Sequence, residues 1–153
     1  MLGKFLKLFN AEDVVLMDDV VQIKEFYFTL TLAQKDLLSH SKPIYIGYCL
    51  GKKKGQQFCP SICLLDFISG RYEKQVVVDA KTEWLFVCGR DIFSVTCVKG
   101  NPSEGDLVLV MNQHQECIGI ASYAGNPSKK TPIKHVYDIG DYLRRERTRK
   151  LKS

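Results

Sequence analysis

With 153 residues, 45% apolar and 25% charged, the chain has the make-up of a globular protein able to bury a core as one domain or as two small ones. No apolar run approaches the roughly eighteen residues that a membrane helix needs; the longest candidate, residues 14–21, is cut by Asp18 and Asp19. The net charge of +5 is unevenly spread: residues 1–72 carry nine Lys and Arg against seven Asp and Glu, residues 73–128 four against seven, and residues 129–153 nine against three, which makes the last segment a local attractor for polyanions.

In chain order, Leu2, Phe5, Leu6 and Phe9 recur at helical spacing and predict a short amphipathic helix. Lys4 and Lys7 flank this stripe, but two turns with two lysines bind a membrane surface weakly, and core packing is the simpler use. The N-terminus lacks a long apolar core followed by a small-residue cleavage site, so no secretory signal and a reducing compartment are expected. Residues 14–17 and 20–30 read as strands around an Asp18-Asp19 turn. Thr31 predicts the N-cap of a helix of about two turns that runs out before Pro43. Residues 44–50 read as a strand, Gly51-Lys52-Lys53-Lys54-Gly55 as a tight basic loop, and residues 56–59 as the returning strand. Pro60 and Ser61 then open a helix with Ile62, Leu65 and Ile68 on one side, ended by Ser69-Gly70-Arg71.

This first half is expected to be α+β with a mostly antiparallel sheet, and the best boundary falls before Glu73, giving domains 1–72 and 73–153. No Pro/Ser-rich linker separates them, so packed rather than freely swinging halves are expected. In the second half, residues 76–81 predict a strand and residues 84–93 a segment holding one small helix. The runs 106–111 and 117–123 predict an antiparallel pair around Asn112-Gln113-His114-Gln115. Both runs are almost continuously apolar, as in strands of a small closed barrel buried on both faces.

Residues that could carry chemistry are few. Gly47-Tyr48-Cys49-Leu50-Gly51-Lys52-Lys53 has three residues between its glycines and no Ser or Thr after the lysine, so it is not a phosphate loop. Cys59 and Cys63 form C-x-x-x-C without a second pair or a nearby histidine. Neither zinc nor an essential disulfide is therefore expected, the cysteines serving as small hydrophobes. A metal- or redox-dependent enzyme using Cys49, Cys59 and Cys63 is the reserve reading. His40, His114 and His135 fall in different elements, with no nucleophile or carboxylate cluster beside them in sequence. No cofactor and no catalysis are expected.

The order Glu83-Trp84-Leu85-Phe86-Val87-Cys88-Gly89-Arg90-Asp91-Ile92-Phe93, Glu104-Gly105-Asp106-Leu107-Val108 and Ile118-Gly119-Ile120-Ala121 resembles a PUA domain, an RNA-binding pseudo-barrel. With Ile46-Gly47-Tyr48-Cys49-Leu50-Gly51-Lys52, Leu64-Leu65-Asp66, Tyr72 and Asp138-Ile139-Gly140-Asp141-Tyr142-Leu143-Arg144, the whole chain resembles the Nip-seven family of ribosome-biogenesis factors. That resemblance implies a fold of an α+β domain followed by a mainly-β PUA pseudo-barrel. It also implies RNA binding in large-subunit pre-rRNA assembly or processing, through basic residues of the C-terminal region. The N-terminus is shorter than in eukaryotic members, which favours an archaeal source and the cytoplasm; a eukaryotic member would be nucleolar. The alternative is an RNA-binding accessory subunit of an RNA-modifying or RNA-degrading complex.

Read from its residues, the C-terminal segment predicts a helix capped by Asp138, with Ile139, Tyr142 and Leu143 as its apolar face. The expected RNA-binding residues are Lys129, Lys130, Lys134, Arg144, Arg145, Arg149 and Lys150, with Lys52, Lys53 and Lys54 as a secondary contact. Cations stabilising a helix C-terminus need be only one or two, not nine. The expected partner is single-stranded RNA, U- or A-rich or pre-rRNA, whose bases can stack on Tyr137 or Tyr142. The first domain, nearly balanced in charge, is expected to dock a pre-ribosomal particle or RNA-processing proteins.

Overall fold

The computed structural model describes residues 1–128 and 131–140. The chain divides into two compact units, the first Met1–Tyr72 and the second from Glu73 onward.

In the first unit, helix α1 (Leu2–Lys7) buries Leu2 and Leu6, and Phe9 follows them into the core. A four-stranded antiparallel sheet runs in the order β1 (Val20–Ile23), β2 (Phe26–Thr29), β3 (Tyr48–Lys54), β4 (Gln57–Pro60). Helix α2 (Leu32–His40) joins β2 to β3, and α3 (Ile62–Ser69) follows β4. Thr31 caps α2 through a reciprocal box with Gln34. Ser61 caps α3, its hydroxyl accepting from the Leu64 N–H at 3.1 Å and donating to the Cys49 carbonyl at 2.5 Å.

Four local readings are corrected here. Residues 14–17 are not a strand: Met17–Asp19 form a single 3-10 turn, closed by the Asp19 N–H on the Leu16 carbonyl. The expected strand 20–30 is a hairpin, turning at Lys24-Glu25 with Lys24 at φ +53°. Lysine is not a customary residue for that conformation, so no turn signal stood in the sequence. Strand β3 begins only at Tyr48, after Gly47 at φ +68°, and carries Lys52, Lys53 and Lys54 within it; the turn is Gly55-Gln56. On α3 the buried residues are Leu64, Leu65 and Ile68, while Ile62 is exposed.

The second unit holds β5 (Gln75–Val77), α4 (Ala80–Val87), β6 (Cys97–Lys99), β7 (Leu107–Met111), β8 (Cys117–Ser122) and β9 (Lys134–Asp138). The first strand is shorter than expected, because Asp79 turns its side chain to accept from the Thr82 N–H and caps α4. The sheet order is β6-β5-β7-β8-β9, with β5 and β7 parallel and the other pairs antiparallel. The order is that of an open ladder, yet Ile133, beside β9 at one edge, bridges Ile92, upstream of β6 at the other. Among the described residues one bridge rather than a full ladder brings the edges together, as in a partly closed barrel. Inside it pack Val76, Val78, Phe86, Ile92, Val108, Val110, Ile118, Ala121, Tyr123 and Ile133, all buried; each large apolar side chain so buried stabilises by about 1.5–3 kcal/mol.

Gly119 is needed at its position. A Cβ there would collide with the Tyr137 carbonyl oxygen and the Phe86 ring, where β9 and α4 close on β8.

Candidate nucleic-acid interface

Strand β9 is the edge of the second sheet, and a network beneath it fixes its course. The Asp91 carboxylate accepts from the Lys134 ammonium at 2.8 Å and from the His135 backbone N–H at 2.9 Å. The Lys134 hydrogen bond first, and the His135 N–H second, hold the Asp91 carboxyl below the usual carboxylate range. The His135 ring lies 5.0 Å from the Phe86 ring, and its Nε2 meets the Asp138 Oδ2 at 2.6 Å, with the Asp138 side chain fully buried.

A contact between residues three apart is foreign to a regular strand, where i and i+3 face opposite ways. Here Tyr137 pairs with Ile120 and His135 with Ala121, leaving Val136 as an extra residue. This bulge restores His135 and Asp138 to one face. Neither the bulge nor the partnership with Asp91, 44 residues upstream, left a signal in the sequence. His135, which has no carboxylate cluster next to it in sequence, is thus paired with one carboxylate through its ring and with another through its backbone.

Of the expected RNA contacts in this unit, Lys134 opens β9, with its side chain 61% exposed and its charge engaged by Asp91. Tyr137 is half-buried on the same strand. Lys129, Lys130, Tyr142, Arg144, Arg145, Arg149 and Lys150 lie outside the described residues, as does the helix expected to continue from Ile139.

The first unit carries the secondary candidates. Phe26 pairs with Lys52 and Phe28 with Cys49, so Leu50 is an extra residue in β3. By strand alternation, Phe26, Phe28, Cys49, Lys52, Lys54 and Cys59 share one face of the sheet, and Lys53 lies on the other with Tyr27 and Phe58. The three lysines are therefore split between faces rather than gathered on one loop. The Lys52 ammonium stands 5.9 Å from the centre of the Phe26 ring. The exposed Tyr45 ring meets Phe28 edge-on at 4.8 Å.

Burial pushes the thiols of both Cys49 and Cys63 upward, the direction opposite to that of an activated thiolate. Among the described residues, no three His, Cys, Asp or Glu side chains converge as metal ligands.

Comparison with known proteins bears on the second unit above all. Residues 74–147 match the UPF0113 PUA domain family. No curated relative matches the chain. Among solved structures, a PUA domain from Aeropyrum pernix K1, determined as a tartrate complex, is 19% identical over 57% of this chain and 55% of its own, with a TM-score of 0.48. The chain thus spans little more than half of that relative. A conserved PUA domain protein from Thermoplasma acidophilum is 14% identical over 95% of this chain and 93% of its own, at a TM-score of 0.56. A hypothetical protein of the hyperthermophilic archaeon Pyrococcus horikoshii OT3 is 15% identical over 89% and 86%, at 0.50. At such identities the likeness to the last two is one of fold, and it agrees with an α+β chain whose second part is a PUA-like β domain. Residues 74–147 are thus similar in sequence to the UPF0113 PUA domain family, and the sheet of the second unit is that of a PUA-like β domain.

Proposed function

We propose that the protein is an RNA-binding factor of ribosome biogenesis, acting on pre-rRNA of the large subunit by binding rather than by catalysis. The observation that carries this reading is the coincidence of a PUA domain at residues 74–147 with nine Lys and Arg in residues 129–153. A PUA domain suggests RNA as the ligand, and a cluster of cations of that size suits a phosphate backbone. The finer assignment rests on the resemblance of both halves to the Nip-seven family. On that reading the first unit docks a pre-ribosomal particle or RNA-processing proteins, and the protein works in the cytoplasm.

The test is twofold. Binding of the full chain to a labelled oligouridylate should weaken with salt at a log–log slope near −3 if about four cations meet phosphates, and the Arg144→Ala, Arg145→Ala, Arg149→Ala, Lys150→Ala variant should flatten it. Crosslinking in cells should recover pre-rRNA of the large subunit. Failure of the full chain to bind any single-stranded RNA would sink the proposal. Recovery of other RNAs with a stoichiometric enzyme would replace it with an accessory-subunit role.

A further inference from the structure

We propose that the Phe26 face of the first sheet is a second binding surface for single-stranded RNA, with Tyr45 as a stacking platform and Lys52 and Lys54 as phosphate contacts. The inference rests on the RNA-binding reading above and adds a site that lies wholly within the first unit.

The two faces of this sheet differ. On one, Phe58 is enclosed by Tyr27 at 5.6 Å and by Phe5 of α1 at 5.1 Å. The other carries Phe28, fully buried beneath Tyr45, and half-buried Phe26, Cys49, Lys52 and Cys59, with Lys54 and Tyr45 exposed at its rim. Tyr45 is 65% exposed, and its ring stands at 80° to that of Phe28. A T-shaped pair leaves at least one face of the tyrosine uncovered by its neighbour, which is the geometry on which a base stacks.

Charge complements the aromatic surface. Lys35, Arg71, Lys74 and Lys134 each form an ion pair with an aspartate. By contrast, neither Lys52 nor Lys54 has a carboxylate partner among the described residues. Two residues apart on a strand, they stand about 7 Å from each other along it on the same face. Lys52 is further held over the Phe26 ring, which orients its ammonium without neutralising it. The Leu50 bulge makes the arrangement possible, since without it Lys52 would face away from Cys49 and Phe28. An exposed tyrosine ring beside unpaired cations favours single-stranded RNA over an acidic peptide, which would use the cations and leave the ring idle.

The experiment uses the full chain, a short fluorescein-labelled oligouridylate and anisotropy over a salt series. Tyr45→Ala should weaken binding about tenfold, while Tyr45→Phe, which keeps the ring, stays near the parent value. If Lys52 and Lys54 add to the four C-terminal cations, the parent slope approaches about −4, and the Lys52→Gln, Lys54→Gln variant should lessen its magnitude by about 1.4. Thermal midpoints identify any variant that fails to fold; if Tyr45→Ala does, the lysine variant alone decides through its slope. Unchanged affinity and slope in folded variants of a chain that still binds RNA would overturn this surface and leave the RNA-binding proposal standing. A parent chain that binds no oligouridylate would overturn both. Equal losses in Tyr45→Phe and Tyr45→Ala would refute stacking. Unchanged RNA binding with lost affinity for a polyglutamate peptide would assign the face to acidic peptides instead.

Discussion

Gly119 offers a demanding test of how the second unit is built. It sits at φ +157°, and a Cβ would strike the Tyr137 carbonyl oxygen, the Phe86 ring and the Asp138 Cα. Gly119→Ala therefore carries two costs: backbone strain of about 1–3 kcal/mol and overpacking of about 1–3 kcal/mol. Loss of glycine entropy from the unfolded chain returns about 0.4–1 kcal/mol, leaving a net destabilisation of roughly 1–5 kcal/mol. Gly105, at φ +89°, is the control: a Cβ there would meet no atom within 4 Å, so Ala at that position faces strain alone. Resolved NMR signals of this unit report its melting, since Trp84, the single tryptophan, is largely exposed on α4. For a unit of this size the Gly119 variant should melt at least about 4 °C below the parent. Amide exchange should rise along β9 before it rises along β5 and β7. If Gly119→Ala costs no more than Gly105→Ala, the close approach of β9 and Phe86 is not what demands glycine at this position.

Ser61→Ala should destabilise the first unit by about 1–2 kcal/mol in urea unfolding, since it removes both a cap and a hydrogen bond to the Cys49 carbonyl. Thr31→Ala should raise amide exchange across Leu32–His40 while barely moving the global midpoint, because α2 buries no side chain in the core. Asp79, Asp91 and Asp106 are all held below the ordinary carboxylate range, chiefly by hydrogen bonds from Thr82, Lys134 and Lys74 respectively. A folded-state value below the unfolded one of about 3.9 gives stability that is fully present above that pH and lost as pH falls through the folded value. Acid titration of the second unit's stability should therefore decline below about pH 4, and the Asp79→Asn, Asp91→Asn, Asp106→Asn variant should show a shallower decline.

Elements whose signals are local were legible. The Leu2, Leu6, Phe9 stripe produced α1, the Thr31 cap produced α2, and the continuous apolar runs produced β7 and β8 on either side of a short polar break. That break is a turn organised by Asn112, which is buried and whose side-chain oxygen accepts from the His114 and Glu116 N–H groups. The likeness of residues 83–121 to a PUA domain was legible for the same reason, since it rests on short motifs in a fixed order. The failures were of another kind. A hairpin turning on Lys24 has no customary turn residue, and three consecutive lysines read as a loop although all three pair with β4, and Lys52 with β2 as well. Sheet pairing decided both, and pairing is a long-range property that local propensity does not encode.

The candidate surfaces share one further property. Each bulge in these sheets inverts the parity of the strand that carries it, so that residues which alternation would assign to opposite faces come to share one. Leu50 does this for Cys49 and Lys52, setting a cation beside Phe26; Val136 does it for His135 and Asp138, closing a buried pair under the edge strand. A third bulge, at Ile118, stands next to Gly119, where β8 receives both Phe86 and the β9 backbone. In a regular ladder, Lys52 would lie on the Tyr27 side of β2, away from Phe26 and Phe28, and His135 would lose Asp138. The placement of charge in both units is thus set by the single extra residues in their strands, which reading a sequence at period two passes over.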